Sequence, residues 1–88
     1  MYTNLVTQVL DKLDNLGVAP ELVNKRHGGP YDRGSADAWY DRGCDPHYYV
    51  GASISTSKVP EDMMSETEIL EYELGYYEGM ASGDHKEW

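Results

Sequence analysis

The amino-acid sequence predicts a small, mainly α-helical domain with three helices and an extended connector, with room for a short strand, between the second and third. Two patterns point to this class: an apolar stripe with helical spacing near the N-terminus, and a helix-capping motif before a long helical pattern near the C-terminus. The length of 88 residues fits one domain, because two would leave neither half enough core. We expect a single domain over 1–88, with an N-terminal helical part over 1–23 and a motif-bearing core over 27–88.

The first predicted helix covers residues 4–16 and has one apolar face. Its stripe consists of Leu5, Val9, Leu13 and Leu16. Gly17 suits the position that follows a helix, and Pro20 prevents continuation. The stripe predicts packing against the domain's own core. The alternative is docking on a partner, or a homodimer through this N-terminal helix.

The second predicted helix covers residues 31–42, with Pro30 in its first turn and Gly43 closing it. Gly34 and Ala38 form a narrow edge of small residues. Glycine within a helix costs about 1 kcal/mol relative to alanine, so Gly34 indicates close approach of another backbone.

The stretch 47–59 predicts the extended connector, because strand-forming residues give way to glycine, serine and threonine before Pro60. The third predicted helix follows over 66–82, between a capping box formed by Ser65 and Glu68 and a closing Gly83. Gly75 and Gly79 lie one turn apart on a narrow face. We therefore expect the second and third helices to cross closely through small residues.

The acidic residues of the third helix fall on two sides of the predicted helix. Glu68, Glu71 and Glu78 lie opposite the broad apolar face, whereas Glu73 falls within it. Because an unpaired buried charge is costly, we expect Glu73 to form an ion pair. The candidate partners are Arg33, Arg42 and His27.

The formal net charge of −9 argues against direct nucleic-acid binding and against an anionic membrane surface, both of which require clustered basic residues. No apolar run approaches the ~18 residues of a membrane span, and no signal-peptide pattern begins the chain. A single cysteine, Cys44, excludes an internal disulfide framework. The expected location is the cytoplasm.

The sequence predicts no enzyme and no cofactor. Cys44 and His47 have the spacing of metal ligands or of a nucleophile and its base, with His27 and His85 as further metal ligands. However, zinc modules usually contain two such spacings, and this chain has one. The glycines at 28 and 29 lack the Lys-Ser/Thr that a phosphate-binding loop needs. We expect neither catalytic residues nor a metal site.

Recognition of a protein partner is the function that the composition favours. The chain has eight tyrosines and two tryptophans but no phenylalanine, and Tyr and Trp are enriched at interfaces. Residues 60–88 carry nine of the 16 acidic residues and one of the seven basic ones. We predict an acidic, aromatic surface for a basic protein, with nucleic-acid mimicry as its extreme form. The candidate partner-binding residues are Tyr31, Arg33, Trp39, Tyr40, His47, Tyr48, Glu71, Tyr72, Tyr76, Glu78 and Trp88.

A family resemblance extends this prediction. The runs that carry it are His27-Gly28-Gly29-Pro30-Tyr31-Asp32-Arg33-Gly34, Leu74-Gly75-Tyr76 and Gly83-Asp84-His85-Lys86-Glu87-Trp88. Over about residues 27–49 and 68–88 the chain resembles small proteins of tailed bacteriophages, a family without a settled function. Together with the small size, the acidity and the Tyr/Trp content, the resemblance predicts a non-catalytic phage accessory protein in the host bacterial cytoplasm, which binds a host protein for takeover or to inhibit a defence system.

A weaker resemblance suggests an alternative function. The runs Arg33-Gly34-Ser35-Ala36 and Gly75-Tyr76 are similar to positions of ribosome modulation factor. That resemblance implies a ribosome- or RNA-associated modulator. This chain departs from that protein in its charge, since ribosome modulation factor is basic and residues 60–88 here are acidic.

Overall fold

The structure, a computed structural model, describes residues 2–51 and 56–83. It contains three α-helices: α1 (Tyr2–Asn15), α2 (Pro30–Trp39) and α3 (Glu66–Ser82). Two short strands, β1 (His47–Tyr49) and β2 (Lys58–Pro60), lie between α2 and α3. One-turn 3₁₀ helices cover Pro20–Leu22 and Glu61–Met63. The predicted class, three helices with an extended and partly stranded connector, is confirmed.

Two residues of the predicted apolar stripe pack into the domain's own core, whereas Leu16, just after α1, is 44% exposed. Val9 and Leu13 are buried against Leu70 and Leu74 of α3, with Val23 closing the cluster. Burying a side chain of this size contributes about 1.5–3 kcal/mol, so this contact fixes α1 on α3. The predicted packing against the core is confirmed, and a homodimer through α1 stays a prediction.

The end of α1 follows the sequence pattern. Gly17 takes a left-handed conformation at φ 82°, and the amide of Val18 donates to the carbonyl of Leu13 at 2.9 Å. Glycine adopts this conformation without a steric penalty, which is why it commonly ends helices.

Helices α2 and α3 cross with their backbones almost in contact. A Cβ on Gly34 would lie 2.0 Å from the carbonyl oxygen of Tyr72, and one on Gly75 would lie 2.3 Å from that of Tyr31. A Cβ on Gly79 would meet the Cβ of Ala38 at 2.7 Å. The predicted crossing through small residues is confirmed, and it uses the glycines of both helices.

The end of α2 differs from the prediction. The helix stops at Trp39, and Asp41 rather than Gly43 takes the left-handed conformation, at φ 58°. The amide of Arg42 donates to the carbonyl of Asp37 at 2.7 Å and closes the last turn. Aspartate tolerates this conformation better than most residues, so the chain can turn two positions before the glycine.

The strands form an antiparallel pair in which His47 lies opposite Pro60 and Tyr49 opposite Lys58. The amide of Tyr49 points to the other edge of β1 and donates to the carbonyl of Gly28 at 2.7 Å. This hydrogen bond fixes the hairpin against the loop before α2. Residues 52–55, between the strands, lie outside the described part of the chain.

Helix α3 is the central element. Its capping box is present, with the side chain of Ser65 accepting from the amide of Glu68 and that of Glu68 accepting from the amide of Ser65. Leu70 and Leu74 face α1, whereas Tyr72 and Tyr76 pack with Ala38 of α2. Because α3 is covered from two sides, little of it is left as an open face.

Two predictions about acidic residues of α3 are wrong. Glu71, expected on the open face, is only 8% exposed. Glu73, expected to pair with Arg33, Arg42 or His27, is half-buried near Cys44, and along the described residues it forms an ion pair with none of the three. Glu71 is buried because other parts of the chain cover a second face of α3. A helical wheel of one isolated helix cannot show this second contact.

Candidate functional site

An open cleft of about 450 Å³ lies where the end of α2, the loop after it and the two strands meet. Its lining consists of Asp37, Arg42, Gly43, Cys44, Asp45, His47, Tyr49 and Lys58. The lining is therefore mostly polar, and it combines acidic and basic side chains.

Along the described residues, no helix is long and apolar enough to cross a membrane.

A buried carboxylate lies at the base of this cleft. Asp37 is 3% exposed and accepts a hydrogen bond from the hydroxyl of Tyr72, which is itself 0% exposed. The same hydroxyl accepts from the amide of Asp45 at 3.1 Å. Burial and the hydrogen bond to Asp37 raise the pKa of Tyr72. The hydroxyl thus keeps its proton and links α3 to both α2 and the loop.

Arg42 and His47 complete this network. Arg42 Nη1 lies 3.4 Å from Asp37 Oδ1, and its guanidinium carbon lies 4.9 Å from the ring centroid of Tyr40. His47 Nδ1 lies 2.7 Å from the carbonyl oxygen of Asp45 and 3.9 Å from Asp37 Oδ2. Because a carbonyl oxygen only accepts, Nδ1 carries the proton in this arrangement.

The thiol of Cys44 is poorly suited to nucleophilic chemistry. Partial burial, together with the carboxylates of Glu73 and Glu61, raises the pKa of Cys44 to about 11. The thiolate is the reactive form, and it is scarce at neutral pH when the pKa is this high. The raised pKa of Cys44 therefore argues against a thiolate activated by His47.

The metal-ligand spacing of Cys44 and His47 gains no further ligands in the described part of the chain. There, no group of three or more His, Cys, Asp or Glu side chains is arranged to hold a metal ion. His85, one of the ligands considered from the sequence, lies outside that part.

Four of the predicted partner-binding residues are buried, so the predicted surface loses them. They are His47, Glu71, Tyr72 and Tyr76. Tyr76 donates its hydroxyl to the carbonyl of Arg42 at 2.7 Å, and Glu71 Oε2 accepts from the amide of Asn24 at 3.2 Å. These side chains bind other parts of the domain instead of facing solvent.

Four more of the predicted residues are half-buried and have intramolecular partners. Tyr31 donates its hydroxyl to the carboxylate of Glu78. Arg33 Nη2 lies 3.1 Å from Asp32 Oδ2. The neighbouring Glu68 carboxylate raises the pKa of Tyr48. Their polar groups interact within the domain, and only the exposed part of each side chain is available for other contacts.

Trp39 and Tyr40 are the predicted residues that the structure places on the surface. Trp39 is 45% exposed and Tyr40 is 36% exposed, both at the end of α2. Since Arg42 lies over the Tyr40 ring and also lines the cleft, this exposed aromatic pair and the cleft form one continuous region. Trp88, the remaining predicted residue, lies outside the described residues.

Sequence reasoning missed the acidic residues of the cleft. Asp37 falls between Gly34 and Ala38 on the small-residue edge of α2, and that position was a signal of burial. Asp45 had no comparable signal, because its place depends on hydrogen bonds to Tyr72 and His47 from elsewhere in the fold.

Comparison with known proteins assigns no function to this region. No family model matches the chain, and no curated protein or solved structure shows significant similarity to it. The phage and ribosomal resemblances of the sequence thus stay predictions.

Proposed function

We propose that this protein acts without catalysis, by binding a bacterial host protein that presents a basic surface, as a phage accessory protein. The observation that carries the proposal is the exposed aromatic pair, Trp39 and Tyr40, at the end of α2. Trp and Tyr are the residues that most often dominate the energy of protein interfaces. The phage origin and the host rest on the sequence resemblance alone.

The charge around this pair favours a basic partner. Asp41 directly follows the pair and Asp45 lines the adjacent cleft, and both are exposed. Glu61 is exposed as well and lies near enough to act on the Cys44 thiol. Clustered carboxylates attract basic surfaces and accelerate association with them.

The proposed surface keeps Trp39 and Tyr40 from the predicted one but not its acidic part on α3. There, three glutamates have hydrogen-bond partners within the domain: Glu68, Glu71 and Glu78. The acidic surface therefore centres on loops at the end of α2. Occupying a partner's DNA-binding site through these carboxylates is one form that host takeover or inhibition of a defence system could take.

Capture from a lysate of the host bacterium tests this proposal. The immobilised chain should retain a protein whose binding weakens as salt is raised, because exposed charges are screened over about 10 Å at 0.1 M salt. Trp39→Ala should abolish this capture. The matched control is Leu22→Ala, which truncates another exposed apolar side chain, and it should leave capture unchanged.

Circular dichroism of both variants must show an intact fold for the comparison to count. Equal capture by the two variants would contradict a role for Trp39. Failure of the unaltered chain to capture any protein would contradict the proposal itself.

The alternative, a ribosome- or RNA-associated modulator, needs basic side chains that are free to meet phosphates. Arg33 pairs with Asp32 at 3.1 Å and Arg42 with Asp37 at 3.4 Å. Arg26 donates to the carbonyl oxygen of Tyr49 at 2.9 Å. These bonds engage all three arginines of the chain, which favours the protein partner. Co-sedimentation with ribosomes at low salt, lost on raising the salt, would reverse that preference.

A further inference from the structure

We propose that the cleft beside Tyr40 is the subsite that receives an arginine side chain of the protein partner. The inference rests on the proposed function and gives it a chemical basis. Its starting point is the cleft's position, continuous with the exposed aromatic pair through Arg42. A partner that covers Trp39 and Tyr40 therefore also reaches the mouth of the cleft.

Asp45 supplies a carboxylate on a rigid support. Its amide donates to the hydroxyl of Tyr72 at 3.1 Å, and its carbonyl accepts from His47 Nδ1 at 2.7 Å. The backbone is thus held on both sides while the side chain remains exposed at the cleft. Such preorganisation reduces the entropy that is lost on binding.

Further carboxylates make this end of the molecule electronegative. Asp37 is matched by Arg42, but Glu61 and Glu73 also act on the thiol of Cys44 in the cleft wall. Burial and these two carboxylates raise the pKa of Cys44. The same negative potential would stabilise a guanidinium that enters the cleft.

Tyr49 favours arginine over lysine as the guest. Tyr49 lines the cleft, and its ring is held by an edge-to-face contact with His47, with 5.5 Å between the ring centroids. A guanidinium stacks on an aromatic ring and binds a carboxylate through two parallel hydrogen bonds, whereas an ammonium is a point charge.

Two basic residues also line the cleft, and they are the main argument for an acidic guest. Arg42 lies 3.4 Å from Asp37 and over the ring of Tyr40, so its charge is already matched. Lys58 lies on exposed β2, where its flexible side chain can extend into solvent. We therefore expect the carboxylates to decide the preference, and the experiment compares both charges.

The test is a nuclear magnetic resonance titration of the full chain with N-acetyl-arginine amide. The expected result is a shift of the backbone amide signals of Gly43, Cys44 and Asp45. Two matched probes are the controls: the citrulline analogue, which has a similar shape and no charge, and the glutamate analogue, which has the opposite charge. Both should bind far more weakly at these positions.

Paired variants then identify the carboxylate. Asp45→Asn should weaken binding of the arginine probe about two- to fivefold, the effect of losing one partly exposed charge pair. Asp14→Asn removes the same charge from an exposed site on α1 and should leave binding within experimental error.

Three results would overturn the inference: equal binding of the citrulline probe, preferential binding of the glutamate probe, or equal effects of the two variants. Any of these could occur while Trp39→Ala still abolishes capture of a host protein. In that case the cleft assignment fails and the proposed function stands.

Discussion

Replacement of Gly34 by alanine is the sharpest test of the crossing between α2 and α3. The new Cβ would lie 2.0 Å from the carbonyl oxygen of Tyr72 and 2.9 Å from the amide nitrogen of Tyr76. Both are backbone atoms of α3, so no side chain can rotate to make room. The helices must move apart by about 1.4 Å along this direction to reach ordinary contact at 3.4 Å.

Two opposing terms decide the result of Gly34→Ala. Alanine gains about 1 kcal/mol in helix propensity over glycine. Overpacking a core usually costs about 1–3 kcal/mol, and here the upper end applies because backbone meets backbone. The separation also loosens the buried contact between Ala38 and Tyr72. We expect a net loss of about 2–3 kcal/mol in the free energy of unfolding.

Thermal and urea unfolding, followed by circular dichroism, measure this loss. A net loss of 2–3 kcal/mol should lower the melting temperature by about 10–20 °C in a domain of this size. Gly43→Ala is the matched control, because a Cβ there meets nothing within 4 Å and the residue has no positive φ. It should leave stability unchanged or slightly raised. If both variants melted at the same temperature, the close crossing would be refuted.

Three further predictions concern polar groups. Tyr72→Phe leaves the buried Asp37 without its hydroxyl donor and should cost about 1–3 kcal/mol in urea unfolding; a loss under about 0.5 kcal/mol would contradict the network. Burial raises the pKa of Glu71 above its unfolded value, so folding binds more protons and stability falls as pH rises through that window. Glu71→Gln keeps a hydrogen-bond acceptor and should therefore be more stable than the native chain at neutral pH. The difference in the free energy of unfolding between the two should shrink in acid; a difference that does not change with pH would contradict the direction of the pKa shift. The rate of Cys44 alkylation should keep rising with pH up to about 11 in the folded chain, whereas in the urea-unfolded chain the rate should level off near a pH of about 8.5. Identical pH profiles of the rate would contradict the raised pKa.

Local sequence signals predicted the helices well because each has a physical cause within a few residues. The capping box at Ser65 and the left-handed glycines at 17 and 83 act on the adjacent backbone, and both signals appear unchanged in the structure. The α2–α3 crossing was also predictable, since Gly34 and Gly75 lower helix propensity without any local benefit.

The candidate site was less predictable because it depends on contacts distant in sequence. Asp37 and Tyr72 are separated by 35 residues, and only the helix crossing brings them together. The burial of Glu71 likewise depends on the loop amide at Asn24, 47 residues away. Helical periodicity assigns residues to faces of one helix, but α3 is covered on two faces.

The absence of phenylalanine from the sequence now has a structural explanation. Hydroxyls of three tyrosines join α3 to α2 or to the loop after it: Tyr72 to Asp37, Tyr76 to the carbonyl of Arg42, and Tyr31 to Glu78. Phenylalanine could fill the same volume, but it could not donate to any of these three acceptors. Tyrosine thus adds polar links between α3 and α2 or its following loop at a crossing this close.

These internal hydrogen bonds of the tyrosines change how the acidic, aromatic composition is interpreted. The sequence suggested that aromatic residues of α2 and α3 and glutamates of α3 formed one outward surface, but several of them are the two sides of internal hydrogen bonds. The charge left exposed near an aromatic pair then belongs to Asp41 and Asp45, in the loop after α2. A recognition surface must combine exposed aromatic area with unmatched charge, and along the described residues these coincide at Trp39 and Tyr40. For this reason the end of α2, rather than α3, is where substitutions should separate binding from stability.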